Sequence, residues 1–328
     1  MTVSPGPPPW PLPPSWTLTP PRQAETTEEL TPPAPEPVAP EPVVLTAHRT
    51  IALLAPDDAG AREVLGAVPG VKVDTRTVRT PSPGFAGVYE LADAAARAMS
   101  EGADGVVIVQ GADAPEETAW ALDLLHPGDA PLVLAADPGH AGDVADAISV
   151  AAAAPPRSGC LLVARGEIHA ARHVRRTGSP LPELTSPGAG PLGHVTDGTV
   201  RLLWRPPERI TVRDGANGGR VPRVGLHTAV LGDDGLLLGA LAERCDGLVV
   251  AAATTGGVPE EIALVLAEAS ARMPVVVASP VGYDSIPMTS LDPLKARVLM
   301  HLLLAAGRGR DAVLAAFAAA ERPGPAQL

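Results

Sequence analysis

Asp113 is the side chain whose neighbours best equip it for chemistry. It lies in Gly105-Val106-Val107-Ile108-Val109-Gln110-Gly111-Ala112-Asp113-Ala114-Pro115-Glu116-Glu117-Thr118-Ala119. A carboxylate there can hold a ligand amine, or it can cap a helix and contribute about 1 kcal/mol. Glu116 and Glu117 follow as first-turn acids that a helix dipole favours. Other residues bear on covalent chemistry. Thr80, Ser82, Thr254 and Thr255 carry hydroxyls in loop-like segments, where they either attack a carbonyl or cap a turn. Asp113 or His140 could accept the proton of such a hydroxyl, although Pro138-Gly139-His140 reads as a surface turn. His169 and His173 have the i, i+4 spacing of helical metal ligands. No carboxylate or third ligand accompanies them, so neither a metal nor another cofactor is expected.

The elements that must position these groups alternate. Val106 to Val109 is a short β-branched run, as in a strand covered on both faces. Gly111 permits a sharp turn, and Pro115 suits the first helical position. Asp113 or Ala114 falls at the N-cap. Strands are expected over Thr50 to Ala55, Val71 to Val78, Leu132 to Ala135 and Cys160 to Val163. Helices are expected from about Ala59, over Gly87 to Ser100 and over Asp143 to Ala153. A second run follows, with strands at Val224 to His227, Gly247 to Ala252 and Val275 to Ala278. Its helices are expected over Leu236 to Glu243, Pro259 to Ala271, Asp292 to Ala305 and Arg310 to Ala320. Such alternation predicts an α/β fold with a mostly parallel sheet, and ligands of such sheets collect at strand-to-helix ends. Between the two runs, Thr177 to Arg220 is rich in Gly and Pro, with a hairpin expected over Val195 to Trp204 around Asp197-Gly198.

The chain has 328 residues, enough for two domains. Its net charge of −12 argues against non-specific nucleic-acid binding, which needs clustered Lys and Arg. Lys72 and Lys295 are the only lysines. Cys160 and Cys245, the only cysteines, read as buried free thiols in a reducing compartment. There is no apolar run of ~20 residues to cross a membrane, and no signal-peptide pattern, so a cytoplasmic protein is expected. Residues 1–45 are Pro-rich, without apolar periodicity, and read as a disordered tail containing Trp10 and Trp16.

The central stretch resembles the second signature of the bacterial asparaginase/glutaminase family, His-Gly-Thr-Asp-Thr-Met-Glu-Glu-Thr-Ala. Four further stretches resemble the same family in the correct order. They are Gly166-Glu167-Ile168-His169-Ala170-Ala171-Arg172-His173-Val174, Gly190-Pro191-Leu192-Gly193-His194-Val195, Asp246-Gly247-Leu248-Val249-Val250 with Gly256-Gly257-Val258-Pro259, and Asp292-Pro293-Leu294-Lys295-Ala296-Arg297-Val298-Leu299. The resemblance covers about residues 49 to 320. It implies a large N-terminal α/β domain over 46–180, an interdomain region over 181–220 and a smaller flavodoxin-like domain over 221–322. It also implies a homodimer or homotetramer and hydrolysis of the side-chain amide of L-asparagine through an acyl-enzyme.

Carried over position by position, the resemblance exposes departures. The nucleophilic Thr of the family aligns near Ala59, and the glycines before it with Asp57 and Asp58, whose charges oppose a substrate carboxylate. No Tyr follows; the next aromatic residue is Phe85. The second Thr aligns with Ala112, the Asp with Asp113, and the Lys near Ala153, a segment to which neither Lys72 nor Lys295 belongs. The substrate-contacting Ser aligns near Thr80, the Asn from a neighbouring subunit near Gly257, and an acidic loop is shortened to Pro280 through Thr289. Asp113 and Thr80 are therefore the expected ligand contacts, for an asparagine- or aspartate-like amino acid. Without either Thr or the Lys, the expectation is a family member with impaired or absent catalysis. The alternatives are an amidohydrolase with rewired residues and a non-catalytic subunit of a mixed oligomer.

Overall fold

Strands buried on both faces need apolar residues at successive positions, and the first strands of this chain have them. A computed structural model describes residues 48–56, 68–78, 84–109, 113–136, 141–177, 183–204, 209–212, 221–252, 258–278 and 288–321. The tail expected over 1–45 and most of the helix expected from Ala59 lie outside these residues. In β1 (Arg49–Ala55), Ile51 and Leu53 face one hydrophobic cluster while Ala52 and Leu54 face another. The register pairs β1 in parallel with both β2 (Val71–Thr77) and β3 (Gly105–Val109). The helix α1 (Phe85–Ser100) connects β2 to β3, and α2 (Pro115–Leu125) connects β3 to β4 (Leu132–Ala135). The helix α3 (Ala141–Ala153) leads on to β5 (Cys160–Ala164). Direction then reverses: β6 (Glu167–Ala170) runs antiparallel to β5.

A separate two-stranded ribbon, β7 (Arg175–Thr177) with β8 (Glu183–Thr185), precedes the hairpin of β9 (Gly193–Thr196) and β10 (Thr199–Leu202). The expected hairpin is present, with Asp197 and Gly198 both at positive φ in its two-residue turn. Its strand β9 pairs with β6 and completes an eight-stranded sheet in the order β10-β9-β6-β5-β4-β3-β1-β2. A smaller parallel sheet holds β11 (Val224–Thr228), β12 (Gly247–Ala251), β13 (Val275–Ala278) and β14 (Met288–Thr289). Its helices are α4 (Leu236–Ala242), α5 (Glu260–Ser270), α6 (Pro293–Ala305) and α7 (Arg310–Ala320).

Three apolar clusters fill the layers. One packs α3 against the large sheet, and another packs α4 and α5 against the small sheet. The largest joins the facing sides of both sheets through α1, α2, α6 and α7. In it Trp120 of α2 is 1% exposed and donates from Nε1 to the Lys295 carbonyl of α6 at 3.0 Å. His301 of α6 stacks on Phe85 of α1, with ring centroids 3.4 Å apart and planes 8° from parallel.

Two polar groups in this interior generate measurable consequences. Asp123 of α2 is buried, and its Oδ1 accepts from Arg209 Nε and from the Cys160 amide, both at 2.8 Å. Arg209 also donates to the carbonyls of Asp123 and His126. Burial raises the Asp123 pKa, and Arg209 opposes that rise. Arg209→Ala leaves Asp123 without its cation and is expected to cost about 3–5 kcal/mol, read as a lower urea midpoint. His301 behaves in the opposite sense. Burial, reinforced by Arg297, lowers its pKa to about 4, so the folded state holds the ring neutral. Its contribution is complete above pH ~6.5 and is lost as pH falls through about 4, amounting to roughly 3 kcal/mol. His301→Phe keeps the stacked ring and is expected to lessen the stability lost between pH 7 and pH 4.5 relative to the parent chain.

Candidate functional site

The head of α2 gathers the acidic groups of the central stretch. Strand β3 ends at Val109, residues 110–112 lie outside the described set, and Asp113 follows at the carboxyl end of the strand. The N-cap is Ala114, held at φ 48° in the left-handed region, and Pro115 occupies the first helical turn. A left-handed alanine is a strained choice, tolerated where the surroundings dictate the backbone. Asp113 is therefore placed one residue ahead of the cap, at the sheet edge where α/β proteins receive ligands.

Behind Asp113 the helix head is buried and charged. Glu116 is 8% exposed, and its Oε2 has no hydrogen-bond partner among the described residues. Burial raises the Glu117 pKa, with Arg297 opposing it from a distance of 3.9 Å. Lys295 is 1% exposed and donates from Nζ to the Ala171 carbonyl. Burial lowers its pKa to about 8, while Asp292, Glu116 and Asp123 pull the other way. The seam between α2 and α6 thus sets Glu116 and Glu117 against Lys295 and Arg297. Its chemistry is electrostatic: it can fix a cationic or amphoteric ligand near Asp113. The described hydroxyl nearest to Asp113 along the chain is Thr118, which is buried within the first turns of α2.

The structure brings some of the expected residues together and separates others. Ala153 ends α3, and the preceding turn of that helix presses its Ala151 carbonyl against Gly105, the first residue of β3. Asp113 lies beyond the other end of β3, and four strand steps of ~3.3 Å separate the two edges by about 13 Å before the turn is counted. Ala153 therefore lies at the amino edge of the sheet, away from Asp113. Lys72 is exposed on β2, next to β1 at the end of the sheet. Lys295, remote in sequence, comes much nearer to the central stretch because α6 packs on α2. Ala59, Thr80, Ser82, Ala112, His140, Thr254, Thr255, Gly257 and the Asp57-Asp58 pair lie outside the described residues.

The histidine pair does not share a helix. His169 sits in β6, wholly buried, with Nδ1 3.0 Å from the Ser186 hydroxyl and Nε2 3.3 Å from Glu167. His173 lies in the turn after β6, its amide bonded to the Ala170 carbonyl. The i, i+4 spacing misled because the intervening backbone is a strand and a turn. Burial lowers the pKa of both rings, so both stay neutral. Among the described residues, no three His, Cys, Asp or Glu side chains are placed to hold a metal ion. Cys160 and Cys245 are free thiols, with Cys160 buried and its pKa pushed up by burial. Arg172, Arg175 and Lys295 are charged groups that sequence reasoning missed as a set. They come from segments over a hundred residues apart, and no local pattern joins them.

The comparisons with known proteins agree with this architecture. The family described as Asparaginase, N-terminal, matches residues 77–208. The chain is 32% identical over 252 residues to a "Probable L-asparaginase" of Deinococcus radiodurans, spanning 67% of this chain and 76% of that protein. It is 29% identical over 239 residues to a "Probable L-asparaginase periplasmic" of Haemophilus influenzae, spanning 64% and 68%. The fold superposes on the crystal structure of a "Probable Cytoplasmic L-asparaginase" from Campylobacter jejuni with a TM-score of 0.70. That match has 24% identity and covers 82% of this chain and 99% of the other. Together with the order of its motifs and its two-sheet architecture, these similarities show that the chain belongs to the asparaginase family.

Proposed function

We propose that this family member binds a small asparagine- or aspartate-like amino acid and hydrolyses its side-chain amide weakly or not at all. The observation that carries the reading is Ala112-Asp113: the carboxylate that would hold the ligand amine is kept, and the residue before it has no hydroxyl. Ala59 likewise lacks the hydroxyl that the first family motif supplies. Amide hydrolysis through an acyl-enzyme needs a nucleophile and a proton acceptor, and losing both leaves only binding and electrostatic effects. Asp113 at the carboxyl end of β3 and the acidic head of α2 support amine binding. Thr80 is the proposed second contact. The domain division that goes with this reading is 46–180 and 221–322, with 181–220 between them.

A second observation favours assembly into a homodimer or homotetramer. Leu231, Leu236, Leu237 and Leu264 are all more than half exposed on and around α4 and α5. Apolar groups gathered in this way mark association surfaces. A cytoplasmic location fits the free thiols, and no described helix is long and apolar enough to cross a membrane.

Ammonia release from L-asparagine and from L-glutamine is expected to fall roughly 10⁴-fold or more below that of an active family enzyme. L-Aspartate is expected to raise the melting temperature, and Asp113→Ala to abolish that shift. Robust turnover that disappears in Asp113→Ala would overturn the non-catalytic reading. Light scattering of the full chain and of a variant lacking residues 1–45 is expected to give the same oligomer. A monomer in both would remove the assembly reading.

A further inference from the structure

A cavity of ≈ 450 Å³ lies between the small sheet and the turn after β6, and Lys295 links it to the acidic head of α2. Ala252 and Ala278 line it at the carboxyl ends of β12 and β13, the edge of a parallel sheet where ligands collect. Arg172 and Arg175 reach it from the segment after β6, and Lys295 reaches it from the first turn of α6. Among the described residues Asp292 is the one carboxylate in the lining, and it is already engaged. It caps α6 by accepting from the Leu294 amide and lies 3.5 Å from Arg175.

Among the described lining residues three cations face one carboxylate, a surplus of two positive charges. Glu321, which acts on Arg172 from outside the lining, already accepts from the Thr289 hydroxyl at 2.6 Å and the Ser290 amide at 2.9 Å. His173, also in the lining, is kept neutral by burial and then by the charges of Arg172 and Lys295. Lys295 is almost wholly buried, and the one hydrogen bond from its Nζ among the described residues goes to Ala171. An ammonium has three donors, so two remain for an acceptor in the cavity. Arg172 gives one donor to the Ala320 carbonyl and Arg175 pairs with Asp292 through one, so a buried ammonium with spare donors beside the remaining guanidinium N–H groups suits an anion with several oxygens. The volume exceeds that of one such group and leaves room for an organic body against the apolar walls.

We propose that this cavity binds a small organic dianion, either a phosphate monoester or a dicarboxylate, held by Arg172, Arg175 and Lys295. The inference does not rest on the amino-acid site at Asp113, although Lys295 flanks both: the one described carboxylate of the lining, Asp292, is taken by the helix and Arg175.

The test is isothermal titration of the full chain with inorganic phosphate and, separately, with succinate, at fixed ionic strength set by NaCl. At least one is expected to bind saturably with Kd on the order of 1 mM or tighter. The tighter of the two identifies the head group. Lys295→Met removes the buried cation, and Arg175→Gln changes a half-exposed residue at the rim. Each is expected to weaken binding roughly tenfold or more. In NMR titrations, the His173 ring is expected to gain a proton at higher pH once the anion is present. Asp113→Ala is expected to leave the affinity unchanged. Binding no better than chloride, wild-type affinity in both cavity variants, or loss of binding in Asp113→Ala would each overturn the proposal.

Discussion

The helix α2 is buried nearly all round, and the rest of the molecule is arranged to make that tolerable. Nine of its eleven residues are buried, including Glu116, Thr118 and Asp123. A helix placed this way must draw partners for its polar side chains from inside the protein, because little water reaches them. Asp123 takes Arg209 and the Cys160 amide, and the Trp120 indole takes the Lys295 carbonyl. These contacts tie the first α/β unit to residue 209 after the hairpin and to α6 of the second unit. The connection between the two units is therefore polar as well as apolar, which fixes how α2 and α6 meet.

The same packing sets the electrostatics of the site. The head of α2 brings Glu116 and Glu117 to the carboxyl edge of the large sheet. The head of α6 brings Asp292, Lys295 and Arg297 alongside. Low local polarity makes each of these charges costly alone and strongly coupled to the others. The Lys295 ammonium is the pivot, since it feels Glu116 on one side and lines the cationic cavity on the other. The molecule thus has two electrostatically opposite regions close together, one acidic at Asp113 and one basic beside the small sheet.

Local pattern made most of the elements legible. The β-branched runs at Val106–Val109 and Val275–Ala278 are strands, and the apolar spacing of Val88, Leu91 and Ala95 lies on the buried side of α1. Asp197-Gly198 turns its hairpin as its residue types require. The spacing of His169 and His173 would have meant a shared face only in a helix, and Glu167–Ala170 is a strand. That segment is too short for periodicity to separate strand from helix, and pairing with β5 decides it. The stretch over 181–220 read as an interdomain region with a hairpin; its strand β9 pairs with β6 and extends the large sheet.

What the sequence determined by itself is the order of elements, the family and the residue types at each motif position. Side-chain identity and short-range periodicity are local, so Ala112, Asp113 and the glutamates after them could be judged without coordinates. Only the tertiary structure decided which remote groups share a space. It set Ala153 at the amino edge of the sheet, away from Asp113, and carried Lys295 across about 170 residues of chain to the flank of α2. It also collected Arg172, Arg175 and Lys295 around one cavity. These outcomes follow from burying α2 between two sheets, and the distances they create have no counterpart in sequence spacing.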